Sequence, residues 1–267
     1  MNEEVLTAAA EALKRGDAVA LVTVVRARGS TPQRAGAKML VFADGRTVGT
    51  IGGGCYENDA CLKAREAIGS GKQSLHHYEL NDDFAQENGL VCGGQMDVHV
   101  DPLMPAPHLY VIGAGHVGWH LARAAAPTGF RLTVIDDREK FASRERFPDA
   151  DDIVVEPIAE WLHRAEIPSA SYVVIVTRGH QGDLEAMRGL AARDLKYLGL
   201  IGSRAKVARI RTMLLAEGMP PECLDRVHSP IGLDIGAVTP AEIAISILAQ
   251  LIAVRRGVPA HTRSLSA

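Results

Sequence analysis

The apolar run His108-Leu109-Tyr110-Val111-Ile112 leads directly into Gly113-Ala114-Gly115-His116-Val117-Gly118. A strand that ends in G-x-G-x-x-G and continues into a helix lets backbone approach a pyrophosphate, with the helix N-terminus aimed at the negative charge. A second run, Leu132-Thr133-Val134-Ile135, ends in Asp136-Asp137-Arg138, and Asp136 stands 23 residues after the first glycine. That is close to where a ribose-binding carboxylate is expected, so Gly113, Gly115, His116, Gly118 and Asp136 together predict a dinucleotide-like ligand. The bland alternative is a tight turn with Asp136 capping the next helix.

Two further apolar runs end in Thr177-Arg178-Gly179-His180 and in Gly202-Ser203-Arg204-Ala205-Lys206. Helix dipole and backbone amides normally suffice for the phosphates of a nicotinamide dinucleotide. Arg178, His180, Ser203, Arg204 and Lys206 therefore suggest an extra phosphate or another oxyanion, against the alternative of a solvated helix face for Lys206 and Arg204. Nearer the start, Gly52-Gly53-Gly54-Cys55-Tyr56-Glu57 separates a strand from a helix, so its amides make an anion-binding concavity beside a thiol. Cys55 near a helix N-terminus is expected to carry more thiolate, and Cys92 sits in a second glycine-flanked loop, Gly89-Leu90-Val91-Cys92-Gly93-Gly94. Both thiols are candidates for a soft metal ligand or a sulfur-handling group, with a small buried hydrophobe as the alternative; that alternative is the expectation for Cys61 and Cys223. The loop Arg28-Gly29-Ser30-Thr31-Pro32-Gln33-Arg34-Ala35-Gly36-Ala37-Lys38 can wrap an oxyanion or serve only as a polar connection.

Much chemistry is excluded. There is no H-E-x-x-H, G-x-S-x-G or Walker pattern, which removes zincins, common serine hydrolases and P-loop NTPases, and no catalytic residue is assigned. The four cysteines form no C-x-x-C pair, so neither a structural zinc, a disulfide framework nor an iron-sulfur cluster is indicated. His76 and His77 point to opposite faces if they lie in a strand, which speaks against a two-histidine metal site. A net charge of -3 argues against a general nucleic-acid binder. With 47% hydrophobic residues but no apolar run near roughly 18 residues, the chain has no membrane span, and Met1-Asn2-Glu3-Glu4 lacks signal-peptide character, so the cytoplasm is expected.

Those motifs need elements to carry them. Helical spacing over Glu3–Arg15 is followed by strands at 18–25, 38–42 and 47–51, the last two a hairpin through Asp44-Gly45, then a helix over 56–68 and a strand over 95–100. Asp101-Pro102-Leu103-Met104-Pro105-Ala106-Pro107, with three prolines, reads as a connector. Beyond it, strands at 108–112, 131–135, 152–155, 171–176 and 196–201 alternate with helices from 115, near 138–146, near 157–164, over 181–193 and over 203–217. The loop His228-Ser229-Pro230-Ile231-Gly232-Leu233-Asp234-Ile235-Gly236 can close over the cleft at the strand ends, and a last helix, 239–255, starts on a Thr239 cap with Pro240 in its first turn. That helix is apolar on much of its surface, so it either completes the core or forms a dimer face. The expected architecture is α/β: a smaller α+β domain over 1–104, then a Rossmann-like doubly wound parallel sheet over 108–267.

The same segments, from Ser30-Thr31-Pro32 and Gly52 to Glu57, through Cys92-Gly93-Gly94 and Gly113 to Gly118, to Thr177-Arg178-Gly179-His180, Gly202-Ser203-Arg204 and 228–236, resemble the XdhC/CoxI family over nearly the whole chain. Tyr56 departs from it, standing where a smaller apolar residue follows the cysteine. The resemblance implies a molybdenum-cofactor chaperone rather than an enzyme. Such a protein binds molybdopterin or its dinucleotide form, supports its sulfuration by a cysteine desulfurase, and delivers it to an apo molybdenum hydroxylase such as xanthine dehydrogenase. On this reading Gly53, Gly54, Cys55, Glu57 and Cys92 join the phosphate-binding set as cofactor contacts, with Cys55 and Cys92 as the thiols for molybdenum or sulfur handling. The rivals are an NAD(P)-dependent oxidoreductase and a nucleotide sensor without catalysis.

Overall fold

The computed structural model describes residues 2–80 and 94–258, and the chain divides into two compact units, Met1–Ala106 and Pro107–Ala267. The first contains α1 (Asn2–Arg15), β1 (Val19–Arg28), β2 (Lys38–Phe42), β3 (Thr47–Gly49), α2 (Cys55–Ser70), β4 (Ser74–Leu80) and β5 (Gly94–Leu103). Its antiparallel sheet runs β3-β2-β1-β5-β4. Side chains alternate across a strand, so the two sets contributed by β1 and β2 face opposite ways. Ala20, Val22, Val24, Met39 and Val41 pack with Met96, Val98 and Val100 against α2, whose inward residues Ala60, Ala64 and Ala67 let the helix lie close. Val19, Leu40 and Phe42 pack instead against Val5, Ala9 and Ala12 of α1.

The second unit contains β6 (His108–Ile112), α3 (His116–Ala125), a 3-10 turn (Ala126–Thr128), β7 (Arg131–Ile135), β8 (Asp152–Val154), α4 (Ile158–Arg164), β9 (Tyr172–Ile175), α5 (His180–Leu190), β10 (Tyr197–Leu200), α6 (Arg204–Ala216), α7 (Pro221–Asp225) and α8 (Pro240–Arg255). The sheet is parallel, in the order β10-β9-β6-β7-β8. One face, with Leu109, Val111, Val134 and Val174, is covered by α3 and α8; the other, with Ile112, Ile135, Ile175 and Leu200, by α4, α5 and α6. This is the predicted doubly wound fold. The order reverses between β6 and β9, and the crevice outside the carboxyl ends of those two strands is where such sheets bind ligands.

The final helix completes the core: Ala244, Ile247, Leu248 and Leu251 are buried in it. It begins with a reciprocal capping box between Thr239 and Glu242, with Pro240 in its first turn, as the sequence led one to expect. One expected helix is absent. Residues 138–146 form separate turns, with Phe141 and Ala142 N–H on Arg138 O and Phe147 N–H on Ser143 O. The Arg146 guanidinium takes Phe141 O at 2.8 Å, an acceptor a continuous helix would need, and bonds Ala114 O at 3.0 Å. The segment is spent on holding the glycine turn. Strand β4, which has no apolar run, pairs along β5 from Ser74 to Leu80. It places His76 on Ser74 Oγ and His77 on Asp97, with His77 Nδ1 at 2.6 Å from the carboxylate. Among the described residues no helix is long and apolar enough to cross a membrane.

Candidate functional site

The crevice of the second unit is built by two glycine-started helices on the strands either side of the switch point. Gly113 leaves β6 at φ +114, and a Cβ there would lie 2.5 Å from Val176 O, so this strand end sits directly against the segment that follows β9. Gly118 faces back onto the turn, where a Cβ would lie 2.0 Å from Gly113 O. Gly115 instead faces open space and is the N-cap of α3, with no side chain bonding the first turn. Gly179 opens α5 in the same way, at φ +98 with no side-chain cap. The unpaired amides of both helices are thus available to an anion at one edge of the sheet.

Cations surround that edge. Arg178 is 67% exposed, with Nη2 3.4 Å from Asp137, a loose surface pair. Arg204, His116 and His180 are exposed and have no hydrogen bond or ion pair with a described residue. Ser203 caps α6, its Oγ accepting Lys206 N–H at 3.3 Å. Lys206 behaves differently: its ammonium pairs with Asp183, which is fully buried, and only 16% of its side chain is exposed. Asp183 also accepts Thr177 Oγ1–H at 2.6 Å, so one buried carboxylate ties the segment carrying Arg178 to helix α6. Sequence reading missed Asp183, because an acid in the first turn of a helix looks like an ordinary dipole partner. No spacing marks it either, since Thr177 lies six residues earlier and outside its helix.

Asp136 lies at the end of β7, 5% exposed, with Ala114 N–H and Arg138 on its oxygens. Burial raises its pKa, but the bonds from Arg138 and Ala114 outweigh this and hold it below the usual carboxylate value. The loop 228–236 does not stand free. His228 and Ile231 bond Leu198 O and Leu200 O, extending the sheet, and Gly232 N–H donates to Gln250 Oε1 at 2.8 Å, an acceptor shared with Tyr197 Oη–H at 2.5 Å. Its tip, Asp234, Ile235 and Gly236, is exposed.

In the first unit, Gly52, Gly53 and Gly54 all have positive φ, which a side chain would resist, and their turn forms a concavity of amides. The anion in it belongs to the protein. Glu57, third residue of α2, reaches back so that Oε2 accepts Ile51, Gly52 and Gly53 N–H at 2.8, 3.1 and 2.9 Å, and Thr50 Oγ1–H at 2.5 Å. This expected anion site is thus filled, and its remaining opening is the uncapped start of α2 at Gly54 and Cys55. Cys55 is half-buried there, as are Cys61 and Cys223 elsewhere. Burial, with the Glu57 charge, pushes the Cys61 thiol up, so it is a poor thiolate. Cys92 falls outside the described residues. The loop after β1 packs Pro32 against Gly52 and lines a depression of about 580 Å³ with Thr31, Gln33 and Arg34.

Burial raises the Glu57 pKa, but its four hydrogen bonds more than offset this and hold it below 4.5. A carboxyl depressed in the folded state stabilises above its unfolded pKa and loses that as pH falls through the folded value. Glu57→Gln is therefore expected to lower stability at pH 7 by about 1–2 kcal/mol. The gap from the parent should shrink below about pH 4.5, as urea midpoints followed by circular dichroism would reveal; a pH-independent gap would contradict this.

Comparison with known proteins agrees with both units. The XdhC Rossmann domain model matches residues 109–251, and the XdhC and CoxI family model matches residues 12–79. The uncharacterized protein YqeB of Escherichia coli K12 is 36% identical over 256 residues, 96% of this chain, which spans only 47% of YqeB. The molybdenum cofactor insertion chaperone PaoD of the same organism is 27% identical over 291 residues, covering 95% of this chain and 89% of PaoD. The crystal structure of a xanthine dehydrogenase from Bacillus halodurans superposes with a TM-score of 0.53 at 25% identity, over 99% of this chain and 98% of that one. The glycine turn of α3, the cation-bearing ends of β9 and β10 and the Gly-Gly-Gly-Cys turn all lie within this shared extent, and the chain belongs to the XdhC/CoxI family.

Proposed function

We propose that this chain is a carrier of molybdenum cofactor, and that the crevice at the ends of β6 and β9 holds the cofactor's phosphate. The observation that carries this is the pair of uncapped glycine-started helices, α3 and α5, with Arg178 and Arg204 exposed beside them. Amides and guanidinium groups together suit a phosphate dianion better than amides alone. The name of PaoD, a relative over nearly its whole length, supports the cargo. In this reading residues 1–104 and 108–267 are the functional domains, and the thiols of the first, Cys55 and Cys92, serve in molybdenum or sulfur handling, since soft thiolates suit that chemistry. The chain receives sulfur from a cysteine desulfurase, hands the cofactor to an apo molybdenum hydroxylase such as xanthine dehydrogenase in the cytoplasm, and acts as a homodimer without turnover of its own.

The test is anaerobic purification from cells that make the cofactor, with assay of released pterin and molybdenum and a parallel titration with NADH. Stoichiometric pterin supports the carrier; tight NADH binding without pterin supports the NAD(P)-dependent oxidoreductase and sinks the carrier. Arg178→Ala is expected to weaken pterin retention about tenfold by removing a charge-assisted bond. Cys55→Ala should lower retained molybdenum more than retained pterin. If both variants hold cofactor as the parent does, the placement is wrong.

A further inference from the structure

Asp136 stands where a carboxylate of this fold normally reads a ribose diol, yet its oxygens are turned inward. Oδ2 accepts Ala114 N–H at 2.7 Å and Arg138 Nη2–H at 2.8 Å; Oδ1 accepts Arg138 Nε–H at 2.7 Å and the Arg138 backbone N–H at 3.1 Å. A carboxylate offers about four lone-pair sites, and all are taken. Arg138 is itself fixed, its guanidinium lying 3.8 Å from the centroid of Phe141, a ring that Arg146 also overlies at 5.0 Å while bonding Ala114 O. Both backbone groups of Ala114, the middle residue of the glycine turn, are thus held by this cluster.

We infer that the Asp136–Arg138 pair closes the ribose seat of the crevice, so that the site binds phosphate groups but gives a nucleoside no recognition at the β7 end, and NAD(H) gains nothing there beyond its pyrophosphate. The inference rests on the reading that the Gly113–Gly118 turn binds phosphate. Ribose hydroxyls could reach Asp136 only by displacing a bidentate, charge-assisted pair with neutral bonds, leaving a partly buried guanidinium without its counter-ion. A dinucleotide fingerprint is then kept for its phosphate half alone, and the acid at the usual spacing serves the turn.

Calorimetric titration of the full chain with pyrophosphate, ADP and NADH tests this. In the parent, ADP is expected to bind within about threefold of pyrophosphate, because the adenosine gains no contact with Asp136. Arg138→Met keeps an apolar stem on Phe141 and frees the carboxylate, and should raise the ratio of ADP to pyrophosphate affinity about tenfold. A parent ratio of about tenfold or more, or a folded Arg138→Met with the parent's ratio, overturns the inference. Should that variant fail to fold, Arg138→Lys, which cannot form the bidentate pair, is read in the same way, and the parent ratio is a test by itself. Absence of any pyrophosphate binding overturns the phosphate reading and this inference together; pyrophosphate binding with much tighter ADP overturns this inference alone.

Discussion

Replacing Gly118 with alanine is expected to destabilise the second unit by about 3 kcal/mol and to abolish phosphate binding with it. The added Cβ would lie 2.0 Å from Gly113 O and 3.1 Å from Gly113 C, both backbone atoms of the turn that α3 must pack against. No side chain can rotate away. Helix and turn must separate, and the Gly113 strand end cannot yield because it already abuts Val176 O. Alanine's better helix propensity returns about 1 kcal/mol, which is less than the overlap costs. Gly115→Ala is the control: its Cβ meets no atom within 4 Å and its φ of -68° suits any residue, so stability should be kept. Both tryptophans of the chain, Trp119 and Trp161, lie in the second unit, so urea unfolding followed by tryptophan fluorescence reports that unit. A stability loss in Gly115→Ala equal to that in Gly118→Ala would refute the packing argument.

The strands of this unit were readable because parallel strands covered on both faces leave short continuous apolar runs, each ended by glycine, aspartate or a polar pair. Val111-Ile112 before Gly113, and Val134-Ile135 before Asp136, carry both the strand and its end. Helix α8 was readable for a local reason too, since its cap and its first-turn proline act within four residues. Strand β4 was not, because an edge strand with polar alternation has no apolar run to announce it, and its register is set by β5. The turns over 138–146 were misread as a helix for a similar reason. Phe141, Ala142 and Arg146 have helical spacing, but the Arg146 guanidinium bonds Ala114 O, 32 residues away, as well as Phe141 O.

Within the site the residue types were legible and their commitments were not. Spacing located Asp136 at its strand end and Glu57 at the start of its helix, but only the fold reveals that each carboxylate already bonds the amides of a glycine turn, Asp136 that of Ala114 and Glu57 those of Ile51 and Gly53. An acid beside a glycine-rich turn can face a ligand or complete the turn, and sequence is the same in both cases. Lys206 is the parallel case among the cations: of the charges near the β9 and β10 ends, it is the one paired with a buried acid, while Arg178 and Arg204 remain exposed.

Asp183→Leu is expected to cost about 3–5 kcal/mol, because it strands the largely buried Lys206 ammonium and leaves Thr177 Oγ1 without its carboxylate acceptor. Lys206→Met should cost less, since Asp183 keeps the bond from Thr177, whereas Asp183→Leu takes the partner from both Thr177 and Lys206. If the two charges serve mainly each other, the double variant should be more stable than Asp183→Leu alone, with a coupling of about 2 kcal/mol or more in the double-mutant cycle. Function should not return with stability. Asp183 holds Thr177, and Thr177 directly precedes Arg178, so an apolar pair restores packing without fixing the segment that carries the cation. The double variant is therefore expected to fold yet retain pterin about as poorly as Arg178→Ala. Full retention in a stable double variant would mean that Asp183 supports only the fold, and that the crevice places Arg178 by some other contact.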